Sequence, residues 1–305
     1  MDIPKVRSIH VTPIPRTGGL ILFSSLLLVS LLLLIFVPRI HLALWHVFPI
    51  ASIFIIGFLD DILSLKFYVR LPLQLIFAAC FVFLSGMYIA NSGMFTLPVF
   101  IAIPFTIMCI AGVTNAYNII DGLDGLCAGL GWIFLVLLAC LSYIYDYYAL
   151  VIYALLLVGS IFGFLIFNFP SAKIFLGDGG SYLVGFSVGM TAVVLLSKHP
   201  EISPWALLLM AFVPIHDTLF AISRRRRKKR SPFKADKRHL HHILRRRYRS
   251  ATKAVVLILA IQLLIGVVAL FFHKNTLILI VVTILSTLFL RRLWFKRITI
   301  GDITI

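Results

Sequence analysis

Ten apolar runs, most of them close to membrane-spanning length, make up most of this chain. They cover residues 18–37, 43–59, 71–90, 97–114, 126–145, 148–169, 182–197, 203–222, 252–272 and 276–290. About 20 apolar residues in a helix cross the hydrocarbon core of a bilayer. The 305 residues are 61% hydrophobic and only 13% charged, which excludes a soluble domain. The sequence therefore predicts an all-α polytopic membrane protein with about ten transmembrane helices, forming one integral-membrane domain over residues 1–305.

Basic residues are divided between the two sides of the predicted membrane. Under the ten-span interpretation, 25 of the 28 Lys and Arg residues lie on the side that holds both termini, and only Arg39, Lys198 and Lys274 lie on the other. Because cytoplasmic loops are enriched in Lys and Arg, we expect both termini to be cytoplasmic. The net charge of +17 then reflects membrane topology rather than binding of nucleic acid.

The ends of the chain and its cysteines suggest no further chemistry. The polar start lacks a small-residue cleavage site, so we expect no cleavable signal peptide. Residues 8–19 combine prolines and glycines, and an ordinary turn leading into the first span is the simplest interpretation. The four cysteines have no metal-site spacing and are predicted to be packing residues.

The most informative polar stretch is Asn115–Gly125, which lies between two apolar runs. On a helical turn, residues three apart are neighbours, so Asn118 would lie beside Asp121, and Asp121 beside Asp124. Oxygen ligands without cysteine favour Mg²⁺ or Mn²⁺ over zinc. The alternative is that Asp121 or Asp124 caps the start of the next helix.

Two further acidic sites are predicted on the same membrane face. Asp60 and Asp61 end the second run, where they repel each other and meet the unfavourable end of the helix dipole; the alternative is a solvated helix cap. Asp178 lies in a Gly-Asp-Gly-Gly-Ser turn that could bring backbone N–H groups to phosphate oxygens. The parity of the spans places all five carboxylates on one surface: Asp60, Asp61, Asp121, Asp124 and Asp178.

A cytoplasmic arm over residues 223–250 carries basic residues and histidines, and it follows a run that contains Asp217 near its end. Arg224–Arg230 could anchor the arm to anionic lipid headgroups, or some of its arginines could hold a diphosphate through bidentate hydrogen bonds. His239, His241 and His242 could form a zinc site, but no fourth ligand lies nearby. Histidines in phosphate chemistry more often donate hydrogen bonds or protons.

These residues alone indicate a Mg²⁺-dependent membrane enzyme that joins a soluble phosphorylated substrate to a lipid. The metal and the arginines would stabilise charge that moves to a leaving phosphate. One alternative is a membrane prenyltransferase with Asp-rich diphosphate sites, which would release inorganic diphosphate. A cation transporter is a second alternative, but it would need carboxylates near the bilayer midplane.

Four ordered motifs carry a resemblance to a known family. They are Asp60-Asp61, Asn115-x-x-Asn118-x-x-Asp121-Gly-x-Asp124-Gly, Asn168-x-Pro with Gly177-Asp178, and Ser231-Pro-Phe with His239-Leu-His241-His242. From about residue 2 to residue 250 the chain resembles the polyprenyl-phosphate N-acetylhexosamine-1-phosphate transferases of glycosyltransferase family 4. The His-x-His-His form is similar to the branch that starts O-antigen, enterobacterial common antigen and teichoic acid linkage synthesis.

The resemblance implies a phosphotransferase of the bacterial inner (cytoplasmic) membrane, with its active site on the cytoplasmic face. Undecaprenyl phosphate would attack the β-phosphate of a UDP-N-acetylsugar, giving the lipid-diphosphate sugar and UMP, with Mg²⁺ as cofactor. The identity of the sugar and of the polymer stays open, and so does the oligomeric state, a homodimer included.

The resemblance also implies roles for the acidic and amide residues. Asn118 and Asp178 would bind Mg²⁺, and Asp121 would lie close to the metal and the diphosphate. The lipid phosphate would be handled by Asp60, as the candidate base, and by Asp61. The nucleotide pocket would include Asp124 and Asn168.

In the arm, the resemblance implies contacts with the diphosphate and sugar, made by Arg225, Arg227, His239, His241 and His242. Three departures accompany it. The chain begins inside the family's Pro-Arg-x-Gly-Gly region at residues 15–19, without the span that usually precedes it; either the true start lies further upstream or the enzyme lacks that helix. A third acid that follows the carboxylate pair in some members has no counterpart near Ser64. The arm is also unusually basic at residues 224–230.

Overall fold

The computed structural model describes residues 13–36, 44–229, 239–295, 299–300 and 303–304, and these residues form twelve helices and one short strand pair. The helices are α1 (Gly18–Phe36), α2 (Leu44–Leu63), α3 (Phe67–Ser85), α4 (Val99–Ile120), α5 (Leu126–Ile144), α6 (Tyr148–Asn168), α7 (Gly177–Lys198), α8 (Pro204–Met210), α9 (Phe212–Arg227), α10 (Leu240–Tyr248), α11 (Ala251–Phe271) and α12 (Thr276–Phe295). Two-residue strands β1 (Thr299–Ile300) and β2 (Ile303–Thr304) pair antiparallel. The predicted helical architecture is confirmed.

Seven of the helices in the described part of the chain are long and apolar enough to cross a membrane. They are α3, α4, α5, α6, α7, α11 and α12, the last over Thr276–Leu293. Helices α8 and α9 raise the number to eight if they count as one broken span. In lipid, helices are favoured because they satisfy their backbone hydrogen bonds internally. The chain is therefore a multi-pass membrane protein, as predicted.

Helix α7 lies at the centre of the bundle. In its most apolar 18-residue window 94% of the residues are buried inside the protein, compared with 17% in α12. It packs against α1, α2, α4 and α5. Its sequence is rich in Gly and Ser, and small residues let neighbouring helices approach closely in membranes. Asp178 lies in the first turn of this helix and is therefore at the centre of one end of the bundle.

The eighth predicted run is a broken helix rather than one straight span. Helices α8 and α9 meet at 87° across Ala211. Gln262 of α11 satisfies the backbone groups that the break exposes: its Nε2 donates to the carbonyls of Leu209 (3.0 Å) and Met210 (2.8 Å), and its Oε1 accepts from the N–H of Val213 (2.8 Å). An unpaired backbone N–H or C=O group that is shielded from water costs roughly several kcal/mol of folding free energy. Gln262 therefore stabilises the bend from which α9 starts.

Candidate active site

Asp60 is a buried carboxylate near the end of α2, and both of its oxygens are occupied. Oδ1 accepts from the N–H of Leu65 (2.7 Å), while Oδ2 accepts from Nη1 of Arg70 (3.0 Å) and from the hydroxyl of Tyr182 (2.8 Å). The residue is only 3% exposed. Asp60 therefore connects α2 to α3 and α7, and a role as base would require it to release one of these donors.

Asp61, its neighbour, is bonded through one oxygen only. Oδ2 accepts from the N–H of Gly179 (3.0 Å), whereas Oδ1 is buried without a hydrogen-bond partner. Nη1 of Arg16 lies 4.0 Å from Oδ1. The close approach of α2 to the start of α7 depends on Gly57, since a Cβ there would lie 2.6 Å from the carbonyl oxygen of Asp178. The second carboxylate of the pair thus has an oxygen available beside the first turn of α7.

Asp178 and Asn118 meet where α4 ends and α7 begins. Nδ2 of Asn118 donates to Oδ1 of Asp178 (2.6 Å) and to the hydroxyl of Ser181 (3.0 Å). A carboxylate in the first turn of a helix is stabilised by the helix dipole. The structure therefore brings together the two residues that the resemblance implies as metal ligands, although they are 60 residues apart in the chain.

The loop between α4 and α5 adds two more carboxylates. Burial, together with repulsion from Asp178, Asp61 and Asp124, raises the pKa of Asp121 to about 8. Neither Asp121 nor Asp124 caps α5, because Gly125 occupies the N-cap position and no side chain caps that helix. The helix-cap interpretation of this stretch is therefore wrong. The mutual repulsion of these carboxylates creates a region that a cation would stabilise.

Asp124 and Asn168 brace the loops around this cluster. Oδ2 of Asp124 accepts from the N–H of Ala172 (3.1 Å). The amide of Asn168 accepts from the N–H of Gly125 (2.6 Å) and donates to the carbonyl of Ile174 (2.8 Å), and its side chain is buried. Both ends of that amide are thus engaged by the backbone. The nucleotide-binding role of the two residues stays a prediction.

The histidine-rich arm docks on the acidic loop. Nδ1 of His239 lies 2.7 Å from Oδ2 of Asp217, and the N–H of Leu240 donates to the other carboxylate oxygen (2.9 Å). Two residues after His239, the ring of His241 lies against Gly122, where a Cβ would collide with its Nε2. Helix α10 is therefore anchored to α9 on one side and contacts the Asp121–Asp124 loop on the other.

The three histidine rings of the arm lie next to one another, two of them stacked and the third tilted. The rings of His239 and His241 are nearly parallel, with centroids 5.8 Å apart, and His242 lies 4.2 Å from His241. Burial, with the neighbouring His242, lowers the pKa of His241 to about 3, and burial also lowers the pKa of half-buried His242. Both rings are therefore neutral near pH 7.

The arginines named for the diphosphate lie in the last turn of α9. Arg225 is half-buried there and Arg227 is exposed. The next part of the arm, residues 230–238, lies outside the described residues and includes the Ser231-Pro-Phe motif. The choice among these arginines stays a prediction.

Comparison with known proteins places this site in a family. A model described as glycosyl transferase family 4 matches residues 43–196, just over half of the 305 residues. This chain belongs to glycosyl transferase family 4. A probable undecaprenyl-phosphate N-acetylglucosaminyl 1-phosphate transferase from Bacillus subtilis is 33% identical over 253 residues, covering 80% of this chain and 69% of the relative.

Two other relatives of this family 4 chain have the same kind of name. A decaprenyl-phosphate N-acetylglucosaminephosphotransferase from Mycolicibacterium smegmatis is 34% identical over 298 residues, which cover 87% of this chain and 73% of the relative. An undecaprenyl-phosphate α-N-acetylglucosaminyl 1-phosphate transferase from Escherichia coli O157:H7 is 28% identical over 286 residues, or 90% of this chain and 77% of the relative. All three are thus sugar-phosphate transferases that use a polyprenyl phosphate.

The donor set of the family 4 site fits a hard divalent cation. Oδ1 of Asp61 is a buried acceptor with no hydrogen-bond partner among the described residues, and it lies close to carboxylates that raise the pKa of Asp121. Among the described residues, no group of three or more His, Cys, Asp or Glu side chains is arranged as a complete metal site. Mg²⁺ commonly binds to one or two carboxylates and completes its coordination with water and substrate phosphates. Asp178, Asn118 and Asp61 are the residues that could hold it.

The structure also adds site residues that sequence reasoning missed. The segment before α1 lies along the start of α7: the N–H of Phe175 donates to the carbonyl of Pro15, and the N–H of Gly18 donates back to Phe175, each at 2.9 Å. Residues 15–18 are therefore paired with the connection that leads into α7, while residues 8–12 of the predicted turn lie outside the described residues. Tyr182 gave no sequence signal, whereas Asp217 did, as a carboxylate inside an apolar run.

Proposed function

We propose that this family 4 enzyme transfers an N-acetylhexosamine-1-phosphate from a UDP-sugar to undecaprenyl phosphate. The products are the undecaprenyl-diphosphate sugar and UMP, in the first membrane-bound step of a cell-envelope polysaccharide such as O-antigen. The observation that carries the proposal is the convergence of four motifs, from α2, α4, α7 and the arm, at one end of the bundle. Because the three relatives named above are N-acetylglucosamine enzymes, UDP-N-acetylglucosamine is the first donor to test.

The cofactor in this proposal is Mg²⁺, held by Asp178 and Asn118 with Asp61 beside them. When bound, the cation neutralises charge on the diphosphate and on the leaving phosphate. The protein's own residues orient the reactants. Oδ1 of Asp61, buried and without a partner, is the acceptor best placed to face a cation, and Asp60 keeps Arg70 in position at 3.0 Å.

The histidine arm closes the site from the side of the Asp121–Asp124 loop. Neutral His241 packs on Gly122, which fixes the distance between the arm and the acidic cluster. Arg225 or Arg227 would supply a cationic, bidentate contact for the diphosphate. Phosphoryl transfer depends mainly on such positioning and charge stabilisation.

The proposed topology has ten crossings, with the site at the cytoplasmic face of the bacterial inner membrane. It is supported by helices that occupy each of the ten predicted apolar runs, the eighth by the α8–α9 pair. The ratio of 25 basic residues to 3 between alternate loops supports the orientation. A cytoplasmic site also suits a soluble nucleotide sugar as donor.

The experiment that tests the function uses the purified full chain with undecaprenyl phosphate, Mg²⁺ and a panel of UDP-N-acetylsugars. We expect UMP and the lipid-diphosphate sugar to form only when lipid phosphate and metal are both present, and EDTA to stop the reaction. Release of inorganic diphosphate from a prenyl diphosphate, without UMP, would instead identify a prenyltransferase.

The matched variants for this assay are Asp178→Asn and Asp146→Asn. We expect D178N to lower kcat by about 10²–10³-fold, which is the usual decrease when an enzyme loses a group that stabilises charge in the transition state. Asp146 is an exposed carboxylate beyond the end of α5, bonded only to Tyr148 at 2.8 Å among the described residues, so D146N should keep full activity. Full activity in a folded D178N protein would refute the proposed site.

A further inference from the structure

Asp217 of α9 is the most completely engaged carboxylate that the proposed reaction leaves without a role. Its side chain is 2% exposed, and that of its partner His239 is 6% exposed. Placing a carboxylate in the interior is unfavourable unless its hydrogen-bond partners are in place. Two partners are present, one on each oxygen: Nδ1 of His239 at 2.7 Å and the N–H of Leu240 at 2.9 Å. A pair built this completely inside the protein indicates a specific task.

The geometry defines how His239 is protonated. An ionised carboxylate only accepts hydrogen bonds, so the short contact to Asp217 requires a proton on Nδ1 of His239. The other ring nitrogen, Nε2, then carries the lone pair. It has no hydrogen-bond partner among the residues that the structure describes. The ring therefore has one nitrogen fixed by the protein and one left for another molecule.

The position of the ring connects this pair to the acidic cluster. His239 stacks on His241 at 5.8 Å with an 8° angle between the rings. His241 in turn contacts Gly122, which follows Asp121 in the chain. Through the bond to Leu240, the same carboxylate also holds the first residue of α10. Asp217 thus controls both the orientation of one ring and the docking of the helix that carries the others.

We propose that Asp217 is a positioning residue that holds His239 in its Nδ1–H tautomer and leaves Nε2 to meet the substrate diphosphate. A ring that has taken a proton from water donates through both nitrogens, from Nδ1–H to Asp217 and from Nε2–H to a phosphate oxygen, and the carboxylate stabilises the imidazolium. This inference rests on the proposed function for the identity of the substrate. Its structural half, the tautomer, does not depend on the substrate.

The tautomer is tested by ¹⁵N NMR of histidine-labelled full-length protein without substrate. His239→Gln identifies the signals of His239. In the wild type we expect the pattern of an Nδ1–H ring. In Asp217→Asn, the amide oxygen can still accept from Leu240, but its NH₂ group faces Nδ1 and forces the proton to Nε2. An Nε2–H ring in the wild type, or an unchanged tautomer in a folded D217N protein, would overturn the proposal.

The kinetic test asks whether Asp217 acts through His239. We expect D217N to lower kcat by roughly 10–100-fold, the usual effect of losing an orienting partner. The double variant D217N/H239Q should be no slower than H239Q, because the two residues act as one unit. Losses that multiply in the double variant would mean that Asp217 only stabilises the fold, and would refute its positioning role.

The control is Glu201→Gln, which changes another carboxylate paired with a histidine. Oε1 of Glu201 lies 3.3 Å from Nδ1 of His199, beyond the far end of α7 and about 30 Å from Asp178 at 1.5 Å per residue. E201Q should keep wild-type kcat. If wild-type protein released no UMP, the proposed function would fail while the NMR result would still decide the tautomer, so the two failures are distinguishable.

Discussion

At the scale of single residues, adjacent carboxylates in one sequence motif receive different environments. Asp60 is saturated by donors from Leu65, Arg70 and Tyr182, whereas Asp61 keeps a buried oxygen without a partner. Both residues are aspartates, so their environments differ because different parts of the neighbouring helices face the two side chains. The first carboxylate holds other residues in place, and under the proposed function the second faces the ligand.

This difference predicts that substitution of Asp60 mainly lowers stability, whereas substitution of Asp61 mainly lowers kcat. Asp60→Asn removes the charge that holds Arg70 and Tyr182, and we expect it to lower the free energy of unfolding by roughly 2–4 kcal/mol. Asp61→Asn removes the charge, but its amide oxygen can still accept from the N–H of Gly179, so it should change stability little while lowering kcat strongly. Thermal unfolding midpoints, measured beside initial rates on the same preparations, separate the two. A larger loss of stability in D61N than in D60N would contradict this division of roles.

The sequence predicted where the carboxylate pair lies but not how its members differ. Adjacent acids at a helix end violate two local preferences, and this local signal was sufficient to find them. The donor from Tyr182 is 122 residues away from Asp60, and no local pattern encodes such a contact. The same reason explains why the sequence shows Asp217 as a carboxylate inside an apolar run but does not identify His239 as its partner.

At the scale of elements, hydrophobic patterning located the helices but not the break between α8 and α9. The apolar run 203–222 is continuous through Ala211, where the two helices meet at 87°. Its internal proline, Pro214, lies after the break rather than at it. The residue that makes the bend tolerable is Gln262, in a different apolar run. The sequence shows Gln262 as a polar side chain inside an apolar run, but it does not show which helix that side chain contacts.

The docking of α10 on the acidic loop gives a prediction with a matched control. Gly122→Ala places a methyl group against the ring of His241, whereas Gly112→Ala in α4 meets open space. We expect G122A to displace the arm, lowering kcat about tenfold or more, since small misplacements reduce rates steeply. Trypsin should also cleave residues 224–249 faster in G122A, while G112A should match the wild type in both measurements. Equal cleavage rates in the two variants would show that the arm is held elsewhere.

At the scale of the whole molecule, the acidic cluster and most of the basic residues lie at the same end of the helical bundle. The acidic cluster lies at the N-terminal end of α7, and the basic arm docks on the same end. Acidic and basic residues therefore lie together at this end of the bundle, while few basic residues are found in the loops predicted for the far end. The parity of the apolar runs was enough to predict this grouping because each crossing reverses the side of the next loop. It could not predict the contacts within the group, which depend on side-chain packing.

The orientation of this arrangement in the membrane is tested at the two ends of α7. Lys173 precedes the helix on the side of the site, and Glu201 follows it at the other end; both side chains are exposed. In cells, a membrane-impermeant maleimide should label Glu201→Cys from outside and label Lys173→Cys only after permeabilisation, because cytoplasmic loops are enriched in Lys and Arg. A parent protein with its four cysteines replaced by serine or alanine provides the background. The reverse labelling pattern would place the acidic cluster outside the cytoplasm, where it could not meet a cytoplasmic nucleotide sugar, and would refute the proposed reaction together with the topology.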